Sequence, residues 1–263
     1  MLHRNDPDGL IVIAQPAHAW ISGQLARAWG NAQFGQVAPW EEVCLAAEQH
    51  DIGMAAWETA PTLNPQTGRS HHFMNLPIGL HLGVFAAASS LALTQSRYAA
   101  LLTSLHFTGL AERRNNPADT PKDLASVQDF LARTRAWQEE IIASLQADPR
   151  YAPHATPDVI ARNRQLVRIW DWFSLILLLG FDQTATVPGV PTADDSADLT
   201  LTKSPDDPTR IAVSPWPFAR DTVSLVCEGR RLPDTYPTQD ALRAALARAP
   251  WVTLEFTLLQ VTS

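Results

Sequence analysis

Cysteine is nearly missing from this chain: 263 residues contain two, Cys44 and Cys227. Two thiols cannot make a disulfide framework, so a hydrophobic core must hold the fold, and a reducing, cytoplasmic compartment fits. A basic excess is missing too. Lys+Arg is 20 against Asp+Glu 27, a net charge of −7, which excludes nucleic acid as the main partner because no positive field offsets its phosphates. Long apolar runs are absent. The longest, Trp172 to Phe181, falls well short of the ~20 residues that span a bilayer, and Met1 to Asp8 lacks the basic-then-apolar order of a signal peptide. A soluble protein without a membrane partner is expected. No glycine-rich phosphate loop and no Gly-x-Ser-x-Gly elbow is present, which removes nucleotide-loop and serine-hydrolase readings.

What the chain does have is ordinary globular composition (46% hydrophobic, 18% charged), 20 prolines and eight histidines. The prolines punctuate helices, because a first helical turn tolerates a residue without an N–H. Pro16 opens Ala17–Trp29, Pro39 opens Trp40–His50 and Pro77 opens Ile78–Thr94. A fourth helix is predicted over Ser96–Arg113. Thr120-Pro121 and Thr156-Pro157 read as caps for Lys122–Gln146 and Asp158–Leu179, with Gly180 at the last stop. Residues 51–75 read as a long loop.

Beyond residue 181 the apolar period changes from helical to two. Residues 182–197, with Pro188 and Pro191, read as a linker. Residues 198–263 read as a small β-rich subdomain with one helix, Gln239–Ala249. Leu10–Gln15 is strand-like and is expected to join that sheet. The predicted fold class is therefore mainly α: a helical domain over 1–181, then the linker, then a small β-rich (α+β) C-terminal part.

The chemistry gathers on the helices. His18 lies near the start of the first, His50-Asp51 ends the second, and Asp171 lies inside the sixth between Trp170 and Trp172. A carboxylate on an apolar helix needs a partner or a cation. Two imidazoles with two carboxylates balance a divalent ion and suit Mn, Fe, Co, Ni, Zn or Mg. Facing helices commonly build such sites.

An early lone His, a later adjacent His-Asp pair and a final helical Asp form an ordered set that resembles the HD-domain metal-dependent phosphohydrolases. The stretches Gln15-Pro16-Ala17-His18, His50-Asp51-Ile52-Gly53, Thr67-Gly68-Arg69, Ser104-Leu105-His106-Phe107 and Pro215-Trp216-Pro217-Phe218 resemble more closely an uncharacterised bacterial family related to that superfamily. The resemblance implies an HD-like helical bundle. It also implies hydrolysis of a phosphate ester or anhydride, without implying a substrate; a small, nucleotide-like molecule is the expectation. It places the metal on His18, His50, Asp51 and Asp171, and Asp51 would also orient the attacking water.

His81 and His106 fall in the interval where two-metal members carry further ligands. Either is equally consistent with an acid/base or supporting role. Arg69 and Arg168 are candidate phosphate contacts, with Arg164 on the same helix face as Arg168. Two other readings stay open: a ligand-binding or sensor module without turnover, and a di-metal oxygenase on the same scaffold. A homo-oligomer is compatible with all three.

Overall fold

The computed structural model describes residues 1–232 and 235–261. The chain opens with a hairpin, β1 (Leu2–Asp6) and β2 (Gly9–Ile13), and then enters the helices. α1 (Gln15–Ala28) starts on Pro16, whose missing N–H costs nothing in a first turn. α2 (Trp40–Gln49) follows Pro39 and carries Glu41 and Glu42 at the positive end of its dipole. The stretch read as a loop holds a short helix, α3 (Ala55–Glu58), and a small hairpin, β3 (Leu63–Asn64) with β4 (Arg69–Ser70). Then come α4 (Ile78–Leu93), α5 (Arg97–Glu112), α6 (Pro121–Gln146) and α7 (Pro157–Leu179). Thr120 and Asp123 cap α6 reciprocally, each side chain taking a backbone N–H of the other's residue. The long helices thus form over the spans their prolines predict.

The remaining elements are β5 (Thr184–Pro191), β6 (Ser196–Lys203), β7 (Arg210–Ser214), β8 (Thr222–Leu232), α8 (Gln239–Arg248) and β9 (Trp251–Gln260). Together with the N-terminal hairpin they make one seven-stranded sheet in the order β1-β2-β8-β9-β7-β6-β5. Its neighbours run antiparallel except β7 and β9, which are parallel. The strand expected at residues 10–15 does join the C-terminal strands, with Leu10 opposite Leu232 on β8. One sheet face is apolar: β8 buries Val223, Leu225 and Cys227 in alternation. The helices cover that face. α1 packs on β8, and α7 packs on β1 and β5. A single core runs through both layers and includes Ile11, Ile21, Leu101, Trp170, Val213 and Phe256.

This architecture corrects the expected fold class. The protein is an α+β fold with a large mixed sheet, not a mainly α or all-α HD-like bundle carrying a small β-rich tail. The stretch read as a linker is largely strand β5. Its prolines and Gly189 pointed away from a strand, yet β5 is the sheet's edge, with a register shift between Val187 and Val190. An edge strand tolerates a missing ladder donor, and a bulge absorbs the irregularity. Residues 233–234 and 262–263 of the expected C-terminal part lie outside the described residues. Among the described residues, no helix is long and apolar enough to cross a membrane.

Candidate metal centre

Four elements converge beneath the sheet. α1 presents His18, the end of α2 presents His50 and Asp51, α5 presents His106 and α7 presents Asp171. The three histidines are almost completely buried. Local sequence explains the placement. Pro16 fixes the start of α1 and so the turn on which His18 sits. Gly53 lets the chain after the His-Asp pair press onto α4: a Cβ there would lie 2.2 Å from the Val84 carbonyl oxygen and 2.8 Å from the Ala88 nitrogen. No other residue fits so close to a helix backbone.

The donor atoms cluster around the two imidazole Nε2 atoms. His18 Nε2 lies 3.3 Å from His50 Nε2, 3.1 Å from Asp171 Oδ1 and 3.6 Å from Asp51 Oδ2. His50 Nε2 lies 3.6 Å from both Asp51 Oδ2 and Asp171 Oδ1. Adjacent ligands around an ion with bonds of about 2.1 Å are separated by about 3.0 Å at right angles and about 3.4 Å at tetrahedral angles. The observed spacings match ligands around one small cation. His106 Nε2 stands slightly outside, 3.7 Å from Asp171 Oδ2.

The outer nitrogens settle which ring atoms face inward. His50 Nδ1 lies 2.8 Å from the Ala47 carbonyl, which can only accept, so Nδ1 carries the hydrogen. His18 Nδ1 lies 2.7 Å from Ser174 Oγ, whose own hydroxyl donates to the Asp171 carbonyl at 2.8 Å. His18 Nδ1 is therefore a donor as well. In their neutral forms both imidazoles aim Nε2 lone pairs at each other and at two carboxylates. Four acceptors then meet with no hydrogen between them, in a buried place where an uncompensated charge costs several kcal/mol. The set demands a positive charge.

The pKa shifts express the same demand. Burial disfavours a charge on His50, but Asp51 and Asp171 overcome it and raise its pKa to about 9. Burial also raises the Asp51 carboxyl, against His50 and His18. The Asp171 carboxyl, despite burial, is held well below the usual range by His18 and His50. A proton on His50 answers the demand in part. A divalent cation answers it for all four donors at once, and the Nδ1 anchors are the outer contacts that metal-binding histidines ordinarily make. The residues fit a divalent metal ion.

Residues 1–234 match the model of a family described as protein of unknown function, DUF3891. The chain belongs to the DUF3891 family. The matched residues include the four donors and His106, and end before α8 and β9. No curated protein and no solved structure matches this DUF3891 chain.

The other expected site residues fall in different places. Arg168 lies beside His106, both lining a cavity of about 280 Å³ between α5 and α7. His81 is not brought to the donor set. It packs on Phe85, lines a separate apolar cavity of about 370 Å³, and is lowered to about 4 by burial and then by Arg114. Arg69 sits on the β3–β4 hairpin, where its charge acts on His3, and does not line the cavity at His106. Burial, opposed by Asp171, lowers His106 to about 3, so it is a neutral imidazole at physiological pH. Sequence reasoning missed Ser174, although its place three residues after Asp171 sets both on one helix face. It also missed Arg113, at helical spacing from His106 and Gly109.

Proposed function

We propose that this protein is a metal-dependent hydrolase acting on a phosphate ester or anhydride of a small molecule. The observation that carries the reading is that His18 Nε2 and His50 Nε2 each lie within 3.6 Å of the other, of Asp51 Oδ2 and of Asp171 Oδ1, with both rings held at Nδ1. The resemblance of this ordered set to that of the HD-domain phosphohydrolases supports the reaction class. A divalent ion bound there would supply Lewis acidity and bring the pKa of water toward neutrality. Asp51 would hold and orient the attacking water. His106, neutral and next to the set, would hydrogen-bond a phosphate oxygen, and Arg168 would bind substrate phosphate from the cavity beside it.

Among the described residues, two triads could hold a metal, His18/His50/Asp51 and His50/His106/Asp171, and they share His50. One Nε2 lone pair serves one ion, so the residues favour a single-metal hydrolase over di-metal oxygen chemistry. The test is a panel of phosphomonoesters, phosphodiesters and nucleotides with the protein loaded in turn with Mn, Co, Ni, Zn or Mg. Turnover of at least one class, lost at least 100-fold in a folded Asp51→Asn variant, is expected. Turnover that survives Asp51→Asn, or none across the panel with a metal-replete protein, contradicts the proposal.

A further inference from the structure

The cavity of about 280 Å³ beside His106 is built from arginine. Arg113, at the end of α5, and Arg164 and Arg168, on successive turns of α7, all line it, together with Gln165 and Gly109. Three guanidinium groups in one small cavity repel one another. Burial and the charges of Arg113 and Arg164 both lower the pKa of Arg168. Two acids oppose this: Asp171, whose charge raises the pKa of Arg168, and Glu112, which lies 3.6 Å from Arg164 and also pairs with Arg135. Among the described residues, neither Arg113 nor Arg168 forms an ion pair with a carboxylate.

Gly109 makes the convergence possible. A Cβ at this position would lie 2.8 Å from Arg164 Nη2 and 3.2 Å from Arg113 Nη1, so both groups lie over the bare backbone of α5. His106, one helical turn earlier, is 96% buried by its 4% exposure, lines the same cavity, and leaves Nδ1 without a hydrogen-bond partner. Its other nitrogen faces Asp171 of the donor set. The arginine cavity and the metal centre are thus separated by one imidazole ring.

We infer that this cavity is an anion subsite for a second phosphoryl group, so that the substrate class is a di- or polyphosphorylated small molecule. The inference rests on the proposed hydrolase reading for the first group. Two carboxylates neutralise a divalent ion, so the centre offers little net charge to a polyanion. The three arginines supply it, and their planar donors match phosphate oxygens in pairs.

Titration calorimetry of the 263-residue chain with inorganic pyrophosphate and with orthophosphate tests this, with metal content measured on the same samples. Wild type should bind pyrophosphate at least 10-fold tighter than orthophosphate. Arg113→Gln/Arg168→Gln should keep its metal and lose at least 10-fold in pyrophosphate affinity, bringing the two probes level. Should that variant fail to fold, Arg168→Lys keeps the charge but not the paired donors, and a loss of about 3-fold is expected. Unchanged pyrophosphate affinity in a folded, metal-retaining variant overturns the subsite, as does a wild type that binds no pyrophosphate. A wild type that takes up no metal yet binds pyrophosphate through these arginines would sink the hydrolase reading and leave the subsite standing.

Discussion

His18, His50 and His106 are buried against Asp51 and Asp171. His3, His71 and His72 are half-buried at the N-terminal hairpin and the β3–β4 hairpin, and there the partners are hydroxyls and backbone. His3 Nε2 lies 2.9 Å from Ser70 Oγ, His71 Nδ1 lies 3.0 Å from Thr62 Oγ1, and His72 Nδ1 accepts from the Met74 N–H at 3.3 Å. Burial, then neighbouring positive groups, lowers His3 to about 3 and His72 to about 4. Their neutral rings have what they need. In the first group His50 is pulled the other way, to about 9. The comparison teaches that burying histidine is not the sign of a metal centre. What sets the first group apart is two carboxylates facing imidazole nitrogens, an excess of negative charge that a proton on His50 offsets only in part.

The difference can be sharpened through the hydroxyls on which each group leans. Ser174→Ala removes the acceptor that fixes His18. It should weaken divalent-metal affinity by about 10–100-fold, read by chelator competition. Ser70→Ala removes the hydroxyl beside His3 and should leave metal affinity unchanged. Equal effects of the two substitutions would erase the distinction.

A smaller effect concerns acid. His3, His72 and His81 stay neutral in the fold to about 3, 4 and 4, whereas in the unfolded chain they take protons near the ordinary imidazole value of about 6.5. Their folded pKa values are depressed, so the stability they permit is present above pH 6.5 and is lost as pH falls from there toward 4. Urea melts should show the decline, and His3→Gln/His72→Gln should make it shallower. A slope that the double substitution leaves unchanged would contradict this assignment.

The helices and the donor set were legible in the sequence because they rest on local signals. Proline at a first turn announces a helix, and a carboxylate at Asp171 amid tryptophan and leucine announces a partner. The strands that sequence reading passed over are the two edges of the sheet, β1 and β5. Edges carry polar residues, prolines and a bulge, so they lose the alternation that marks an interior strand. Without them the sheet looked like a small appendage. Arg113, and the part Gly109 plays in seating it, escaped for another reason. A glycine that seats two guanidinium groups from different helices is a tertiary relation, and no window of sequence contains it. His81 misled because a histidine near the start of an apolar helix looks the same whether it meets a metal or a phenyl ring.

The most direct test of the account is elemental analysis of the 263-residue protein purified without chelator, beside a His50→Ala/Asp51→Ala variant shown to be folded by circular dichroism. The account predicts one divalent ion per chain in the wild type and none in the variant. A wild type that stays metal-free after incubation with Mn, Fe, Co, Ni and Zn, or a variant with the same metal content as wild type, would contradict it.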